Sequence, residues 1–351
     1  MANLLVTGGA GFIGGNFVHY WADNHPSDAM IVLDSLTYAG NASTIAGVEQ
    51  AELVVGDIRD TALVEELLRD RSIDTVVHFA AESHVDRSIT GPDAFIETNI
   101  LGTNSLLKAT RTVWLDEGNG KPHRFHHIST DEVYGSLDPE DPAFSETTPY
   151  QPNSPYSASK ASSDHLVRAY HHTFGLEVTT SNCSNNYGPY QYPEKLIPLF
   201  LLNALHGRDL PIYGDGMNVR DWLHVEDHCR GIEACLLKGK PGETYNIGGG
   251  AELPNSAVID NICMHVDLAF ASFPGLAARF PDAPAAVGEP TAELKTFVTD
   301  RLGHDRRYAI DERKARAELN YMPLHTFDNG LALTLQWYLD NEDWWRPLIE
   351  S

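Results

Sequence analysis

The sequence predicts an α/β fold with a doubly wound, Rossmann-type parallel sheet and a smaller, mainly C-terminal substrate-binding lobe. Three observations support this prediction. Short apolar runs alternate with stretches of helical spacing through the first half of the chain, and a glycine-rich turn follows the first of these runs. After about residue 185 the strict alternation stops, and Pro and Gly become more frequent. Buried parallel strands connected by helices give this kind of alternation.

The apolar runs are short and end at Gly, Asp or Ala, as buried strands commonly do. We predict the first strands at Leu4–Gly8, Met30–Asp34, Glu52–Asp57 and Thr75–Ala81. Helical spacing predicts helices at Thr61–Arg71 and Phe95–Trp114, and the runs at Phe125–Thr130 and Glu177–Asn185 extend the sheet. Near the C-terminus, Gly330–Leu348 has the apolar stripe of a single helix, and we interpret its Trp and Tyr side chains as core packing.

The length of the chain favours two units rather than one compact core, because 351 residues exceed the usual size of a single domain. We predict that residues 1–184 form the dinucleotide-binding domain, with a return segment near 219–248. Residues 185–218 and 249–351 are then expected to form the substrate-binding lobe.

Composition excludes several partner classes. Lys and Arg total 25 against 49 for Asp and Glu, which gives a formal net charge of -24. Such a surface repels nucleic acid and anionic membranes. No apolar run is long enough to span a bilayer, and the N-terminal residues lack a signal-like pattern, so we expect a cytoplasmic protein. Neither the four cysteines nor the histidine pairs at 126–127 and 171–172 form a metal-ligand pattern, and we predict no metal site.

The glycine-rich turn indicates a dinucleotide site. Gly8, Gly11 and Gly14 follow the first predicted strand and precede the first helix, where backbone N–H groups and the helix N-terminus can approach a pyrophosphate. Asp34 ends the second strand, where a carboxylate can accept hydrogen bonds from a ribose 2′-OH and repel a 2′-phosphate. The pattern therefore predicts NAD rather than NADP, and Asp57 with Ile58 is placed to meet the adenine.

A candidate reactive centre follows from two further stretches. Tyr156 and Lys160 lie four residues apart, so that both side chains can face one ligand from the same side of a helix. A nearby ammonium favours the phenolate, and we therefore expect a lowered pKa for Tyr156 and a role as base. Thr130 ends an earlier strand and can donate a hydrogen bond to the same oxygen. Asp131 and Glu132 follow it directly, and from the residues alone they could equally be a helix-capping pair.

These motifs together resemble the extended short-chain dehydrogenase/reductase family. The stretches "TGGAGFIG", "STDEVYG" and "YSASK" occur in the family's order, and the likeness runs from about Leu4 to Asp311. Further stretches, among them "LTYAGN", "AAESHVDRSITGP" and "SNNYGPYQYPEKLIPL", resemble the family members that dehydrate a dTDP-sugar. The resemblance implies that Tyr156 deprotonates the hydroxyl on carbon 4 while NAD takes the hydride. It further implies that Glu132 removes the carbon 5 proton, that Asp131 protonates the departing carbon 6 hydroxyl, and that the hydride returns to carbon 6.

If one residue of the pair Asp131–Glu132 acts as an acid and the other as a base, one carboxyl group must be protonated and the other ionised. Burial and mutual repulsion can raise the pKa of one of them, but the sequence does not indicate which. The assignment of Asp131 as the acid rests on the resemblance.

The resemblance also implies two sets of binding residues. The NAD contacts are expected at Gly8, Gly11, Phe12, Ile13, Gly14, Asp34, Ser35, Leu36, Thr37, Asp57, Ile58, Phe79, Ala80, Ala81, Ser83, Thr98, Tyr156, Lys160 and Asn186. The substrate contacts are expected at Ser83, Thr130, Asn185, Lys195, Leu196, Pro211, Tyr213, Arg220, Asn255, Arg301 and His304. The cations among them could hold a diphosphate, with Arg able to bind bidentately.

Alternatives remain at the level of the sequence. Gly248–Glu252 and Arg301–Asp305 depart from the family pattern near the expected nucleotide pocket, which leaves thymine and uracil both open. A UDP-sugar or other NDP-sugar dehydratase, a sugar-nucleotide epimerase or decarboxylase, or a non-catalytic dinucleotide sensor would use the same fold. An epimerase needs no acid for a leaving hydroxyl, and a sensor needs no Thr, Tyr and Lys set.

The family resemblance also implies a homodimer, formed through a four-helix contact between Asn99–Thr110 and the Tyr156 helix.

Overall fold

The computed structural model describes residues 2–118, 122–300 and 304–350. Its twelve strands are β1 (Asn3–Thr7), β2 (Ala29–Asp34), β3 (Ala51–Val55), β4 (Thr75–His78), β5 (Arg124–Thr130), β6 (Val178–Cys183), β7 (Asn185–Tyr187), β8 (Leu210–Tyr213), β9 (Val219–His224), β10 (Thr244–Ile247), β11 (Glu252–Pro254) and β12 (Lys295–Val298). Its α-helices are α1 (Phe12–Asn24), α2 (Thr61–Asp70), α3 (Val85–Thr90), α4 (Asp93–Phe95), α5 (Thr103–Arg111), α6 (Pro155–Phe174), α7 (Leu196–Leu205), α8 (Val225–Lys238), α9 (Asn255–Ser272), α10 (Leu276–Arg279), α11 (Arg313–Leu319), α12 (Phe327–Asp340) and α13 (Glu342–Glu350).

The central sheet has seven parallel strands in the order β10-β6-β5-β4-β1-β2-β3. Helices cover both faces of the sheet, with one core under α2, α5 and α6 and the other under α1 and α8. The strands β1, β2 and β4 are accordingly apolar runs, whereas β5 and β6 carry buried polar side chains. The chain runs outward from β1 to β3 and then returns to the other side of β1 with β4. A crevice opens at such a reversal beyond the carboxyl ends of the strands, which is where open α/β sheets bind ligands. The predicted fold class is confirmed.

The remaining strands form two small sheets outside the central one. β9 pairs with β7 and β11, and β8 pairs with β12. A third core packs α7, α9 and α12 around Tyr187 and Trp222. In the segment 219–248, α8 and β10 pack with the central sheet, whereas β9 lies outside it.

Several predicted element boundaries differ from the structure. The strand predicted at Thr75–Ala81 ends at His78, and the next residues form a loop. The prediction of a single helix at Gly330–Leu348 was wrong. The helix α12 ends before Asn341, whose backbone leaves the helical region at φ -122° and ψ 43°, and α13 begins at Glu342. Tyr338 and Trp345 from these two helices are fully buried, as core packing requires.

The segment predicted as a helix at Phe95–Trp114 is helical throughout. Its α-helical parts, α4 and α5, are joined by a π-helix at Ile96–Gly102, and a second π-helix follows at Thr112–Asp116. Within the three described ranges, no helix combines the length and the apolar character that a bilayer span requires.

Candidate active site

A cavity of about 530 Å³ lies along the carboxyl ends of the central strands. It extends from the glycine turn after β1, past the end of β2, to the ends of β5 and β6 and the start of α6. One continuous cavity therefore joins the predicted dinucleotide site to the predicted reactive centre.

The glycine turn leaves no space for side chains. Gly8 has a positive φ of 71°, and a Cβ there would lie 2.6 Å from the backbone nitrogen of Ala80. A Cβ on Gly14 would lie 2.4 Å from the carbonyl oxygen of Gly8. α1 begins at Phe12, directly after this turn, so that its first N–H groups face the cavity region. This close backbone approach fits a bound pyrophosphate.

Asp34 is fixed by the backbone at the end of β2. Its two carboxylate oxygens accept hydrogen bonds from the N–H groups of Ala10 at 3.0 Å and Leu36 at 2.8 Å. Burial raises the pKa of Asp34, while these two hydrogen bonds favour the ionised form. The side chain lines the cavity and can accept hydrogen bonds from a ribose.

The helix α6 presents Tyr156 and Lys160 to the cavity. Ser154 caps this helix and forms a capping box with Ser157, and Pro155 occupies the first turn. Both site side chains are buried, at 9% and 5% exposure. The Lys160 Nζ donates a 2.7 Å hydrogen bond to the carbonyl oxygen of Ile128 on β5, which fixes the ammonium beneath the cavity.

The lowered pKa predicted for Tyr156 is not what the structure gives. Burial raises the pKa of Tyr156 well above its usual value, and the charge of Glu132 raises it further, while a hydrogen bond from Thr130 acts in the opposite direction. Burial also lowers the pKa of Lys160. The protein alone therefore holds Tyr156 as a neutral phenol.

The pair Asp131–Glu132 begins a short 3₁₀-helix directly after β5. Asp131 is only 1% exposed, and its Oδ2 has no hydrogen-bond partner among the described residues. Burial raises the pKa of Asp131 well above its usual value, the charges of Glu132 and Asp221 raise it further, and Arg220 opposes the shift. Thr130 connects the pair, because its Oγ1 donates to Asp131 Oδ1 and accepts from the Glu132 N–H, both at 3.3 Å. The structure thus favours a protonated Asp131, which the sequence left open.

Two buried carboxyl groups near this centre, Asp164 and Asp221, were not predicted from the sequence. Asp164 lies one turn after Lys160 on α6 and contacts His127 at 3.1 Å and Ser129 at 2.8 Å. Burial raises the pKa of Asp164 to about 6. The negative charge of Asp164 raises the pKa of Lys160 and so offsets part of the lowering that burial causes. Asp164 could have been found from the sequence, because it lies four residues after Lys160 and therefore on the same face of the helix. Asp221, whose burial raises its pKa to about 6, accepts hydrogen bonds from the N–H groups of Gly249 and Ala251, and no sequence signal indicated this.

A further ionic group borders the cavity near its entrance to the lobe. Glu194 lines the cavity, and its Oε2 lies 3.1 Å from the guanidinium of Arg87 and 3.7 Å from Nε2 of His84. Its neighbour Lys195 donates a 3.1 Å hydrogen bond to the carbonyl oxygen of Ser83. The sequence analysis named Lys195 and Ser83 but not Glu194.

The cavity brings together most of the predicted residues. All five predicted catalytic residues line it, and so do Gly8, Gly11, Phe12, Ile13, Gly14, Asp34, Ser35, Thr37, Asp57, Ile58, Phe79, Ala80, Ala81, Ser83, Thr98, Asn185, Asn186 and Lys195. Leu36 contacts Asp34 through its backbone but does not line the cavity. We call Thr130, Asp131, Glu132, Tyr156 and Lys160 the reaction cluster.

Among the described residues, the other predicted substrate contacts do not line this cavity. Leu196 begins α7, and Arg220 on β9 donates to the carbonyl oxygen of Asp305 at 2.9 Å while lying 4.3 Å from the ring centroid of Tyr308. Arg301 lies outside the described residues. We call the remaining four the lobe group: Pro211, Tyr213, Asn255 and His304.

The lobe group belongs to elements of the small sheets and their surroundings. Pro211 and Tyr213 lie on β8, and Asn255 begins α9. The rings of Tyr213 and His304 meet edge to face with centroids 6.4 Å apart, and His304 contacts Asp300 at 2.6 Å. Asn255 has no partner for its Oδ1 among the described residues.

Comparison with known proteins agrees with this geometry. Residues 5–334 match the family model described as GDP-mannose 4,6 dehydratase. A dTDP-glucose 4,6-dehydratase from Xanthomonas campestris pv. campestris is 54% identical over 356 residues, which cover 100% of this chain and 97% of that protein. The chain belongs to the dTDP-glucose 4,6-dehydratase family. The resemblance to extended short-chain dehydrogenases/reductases is thereby confirmed.

Solved structures of dTDP-glucose 4,6-dehydratases superpose over nearly the whole chain. DesIV from Streptomyces venezuelae, with NAD and dTDP bound, has a TM-score of 0.86 and 48% identity, covering 99% of both chains. The enzyme from Bacillus anthracis, in complex with NAD, has a TM-score of 0.84 and 44% identity, covering 99% of this chain and 100% of that one. The family fold therefore extends through both the central sheet and the lobe.

Proposed function

We propose that this chain is a hydro-lyase that converts dTDP-glucose to dTDP-4-keto-6-deoxyglucose with NAD as its cofactor. The observation that carries the proposal is the reaction cluster, in which a buried carboxyl group with a raised pKa lies beside a second carboxylate and a Tyr–Lys pair. The names of the curated relatives and the ligands of the solved neighbours support the same activity.

The residues around the glycine turn fit NAD. The backbone approach at Gly8 and Gly14 suits a pyrophosphate, and Asp34 suits a ribose with a free 2′-OH. When bound, NAD would accept a hydride from sugar carbon 4 and return it to carbon 6. The protein's own groups would move the protons.

We assign the proton transfers as follows. Tyr156 removes the proton of the carbon 4 hydroxyl, with Thr130 holding the same oxygen and Lys160 stabilising the phenolate that must form. The resulting 4-keto sugar is acidic at carbon 5, and Glu132 takes that proton. Asp131, held protonated by burial and by its acidic neighbours, donates its proton to the carbon 6 hydroxyl as it leaves as water. When the hydride is returned to carbon 6, Glu132 gives its proton back to carbon 5, which completes the 4-keto-6-deoxy product.

The pair Asp131–Glu132 disfavours simple 4-epimerisation. That reaction oxidises and reduces the same carbon and needs no acid for a leaving hydroxyl. A buried, protonated carboxyl group adjacent to the reacting sugar would serve no purpose there, and burying it costs stability.

The first experiment is incubation of the purified protein with dTDP-glucose and, separately, with UDP-glucose, followed by mass spectrometry and the alkaline absorbance of 4-keto sugars. We expect the thymidine compound to lose one water, with much slower turnover of the uridine compound. An isobaric product would identify an epimerase. An unchanged sugar in the presence of bound NAD would contradict an enzymatic role toward these sugars.

We further propose a homodimer in which Asn99–Thr110 and α6 of two subunits form a four-helix contact. Exposed apolar side chains on or beside these elements support it, with Ile96 at 47%, Leu101 at 53% and Phe174 at 39% exposure. Light scattering at micromolar concentration tests the proposal, and a monomeric mass would contradict it.

The division into two units and the cellular location complete the proposal. We propose that residues 1–184, with the segment 219–248, bind the cofactor, while 185–218 and 249–351 bind the sugar nucleotide. A cytoplasmic location is proposed because all four cysteines are free and buried, as expected for a reducing compartment. Limited proteolysis with and without NAD tests the division, since the cofactor should protect the first unit in preference to the second.

A further inference from the structure

Three potential metal ligands, none of which lines the cavity, meet beside the end of β9. His224, Glu226 and His325 each offer a ligand atom within 4.8 Å of the others, and among the described residues they are the only such group of three. His224 ends β9, Glu226 lies in the first turn of α8, and His325 comes from the segment before α12. The cluster therefore joins two parts of the chain that are distant in sequence, which explains why adjacent histidine pairs did not indicate it.

His224 is a buried imidazole without partners. The residue is only 5% exposed, and neither ring nitrogen has a hydrogen-bond partner among the described residues. Leaving such a group unsatisfied is costly, and a bound ligand is one way to satisfy it.

His325 is oriented by a carboxylate behind it. Its Nδ1 lies 3.0 Å from Asp227 Oδ2, and Asp227 is itself buried and accepts hydrogen bonds from the N–H groups of Leu324 and His325. The proton on Nδ1 therefore points to Asp227, and the opposite nitrogen, Nε2, lies 3.6 Å from Glu226 Oε2. Metal-binding histidines commonly have this carboxylate-histidine arrangement, which fixes the tautomer and increases the basicity of the ligating nitrogen.

We propose that His224, Glu226 and His325 bind a divalent transition-metal ion, with Zn²⁺ as the best match to two imidazoles and one carboxylate. A water molecule would fill the fourth position. The two imidazole rings lie with centroids 4.2 Å apart, and ligand atoms of the three residues already lie within 4.8 Å of one another.

The proposed ion would link the end of β9 to the segment that leads into α12. Since α12 contributes to the core around Tyr187 and Trp222, the link would hold the C-terminal helices against the strands β7 and β9. The acidic side chains of Glu226 and Asp227 in the first turn of α8 offset the positive helix end that would otherwise disfavour a cation there. The expected role is structural, because none of the three ligands lines the cavity.

The test uses the full-length protein after treatment with a chelator, titrated with Zn²⁺ alone and, in a second series, with Co²⁺. A pH of about 7.5 is suitable because histidine binds a metal ion as the neutral imidazole, so that protons compete with the ion at lower pH. We expect one Zn²⁺ per chain, visible d–d absorption with Co²⁺, and a rise of about 3 °C or more in the unfolding temperature at saturating Zn²⁺.

Variants locate the site. Glu226→Gln removes a half-exposed ligand with little risk to folding, and we expect at least about a tenfold loss of Zn²⁺ affinity. His325→Gln is expected to abolish the thermal shift. His265→Gln is the matched control, because His265 also pairs with a carboxylate, Asp328 at 2.9 Å, but lies outside the group of three and should leave Zn²⁺ binding unchanged.

Two results would overturn the proposal. One is the absence of stoichiometric Zn²⁺ binding to the wild-type protein. The other is binding that Glu226→Gln and His325→Gln leave intact, since that would place the ion elsewhere. Both variants can be checked for native folding by their far-UV circular dichroism, so a loss of binding in a folded variant supports the site directly.

Discussion

The reaction cluster and the lobe group are built in opposite ways. Four of the five residues in the reaction cluster are less than 10% exposed, and their side chains are fixed by the ends of β5 and α6. In the lobe group, Tyr213 is 44% exposed and lies on a sheet of only two strands, while the other three residues are partly buried. A buried, connected site is preorganised for chemistry, whereas exposed side chains on short strands chiefly add binding contacts. Substitutions in the two regions should therefore affect different kinetic constants.

The largest effect is expected from Tyr156→Phe. Without the phenol, the carbon 4 hydroxyl has no base, and we expect kcat to fall by about 10² to 10⁴-fold. The measurement is the rate of 4-keto sugar formation from dTDP-glucose. NAD content is the control, because the ring that packs in the cavity is retained. Activity within tenfold of wild type would mean that the reaction cluster does not contain the base.

Asp131→Asn and Glu132→Gln should separate the acid from the base. Each is expected to lower kcat by about 10² to 10³-fold. In D₂O, however, substrate recovered from Asp131→Asn should carry deuterium at carbon 5, since Glu132 still exchanges that proton, while substrate from Glu132→Gln should not. Mass spectrometry of the recovered sugar nucleotide distinguishes the two. The reverse pattern of deuterium would exchange the assigned roles.

The sequence was sufficient for the parts of the molecule that depend on local patterns. The strands β1, β2 and β4 were predictable because a strand buried on both faces is a continuous apolar run, and the turn at Gly8 because only glycine fits there. The edge strand β10 was not predicted, since its sequence TYNI is short and half polar. The protonation of Asp131 was not predictable, since it depends on burial and on Asp221 and Arg220, which come from a distant strand. The direction of the Tyr156 pKa was predicted wrongly for the same reason, because the expectation included Lys160 and omitted burial and Glu132.

A smaller effect on stability is expected at Asp164, beneath the reaction cluster. Its pKa is raised from 3.8 to about 6, so the native state binds a proton more readily than the unfolded state, and the cost of ionising Asp164 in the fold grows as pH rises through this window. Relative to wild type, Asp164→Asn should gain about 2 kcal/mol in the free energy of unfolding between about pH 4.5 and about pH 7.5.

Urea denaturation at several pH values measures this difference, and only its change with pH is diagnostic, because the lost contacts with His127 and Ser129 contribute a constant offset. Asp60→Asn, at the exposed N-cap of α2, is the control for replacing a carboxyl group by an amide outside the core. A difference for Asp164→Asn that is independent of pH would contradict the burial of a charged carboxylate at this position.

The smallest effect is expected in the lobe group. Tyr213→Ala removes an exposed ring that would contact the base, and stacking of this kind is worth about 1 kcal/mol, so KM for dTDP-glucose should rise about fivefold while kcat stays within about twofold. Phe297 is a matched control, because it is 67% exposed on the paired strand β12 and is not a predicted contact. Phe297→Ala should leave both constants unchanged. A fall in kcat for Tyr213→Ala with KM unchanged would show that the lobe acts on the reacting carbons, and the contrast between the two regions would not hold.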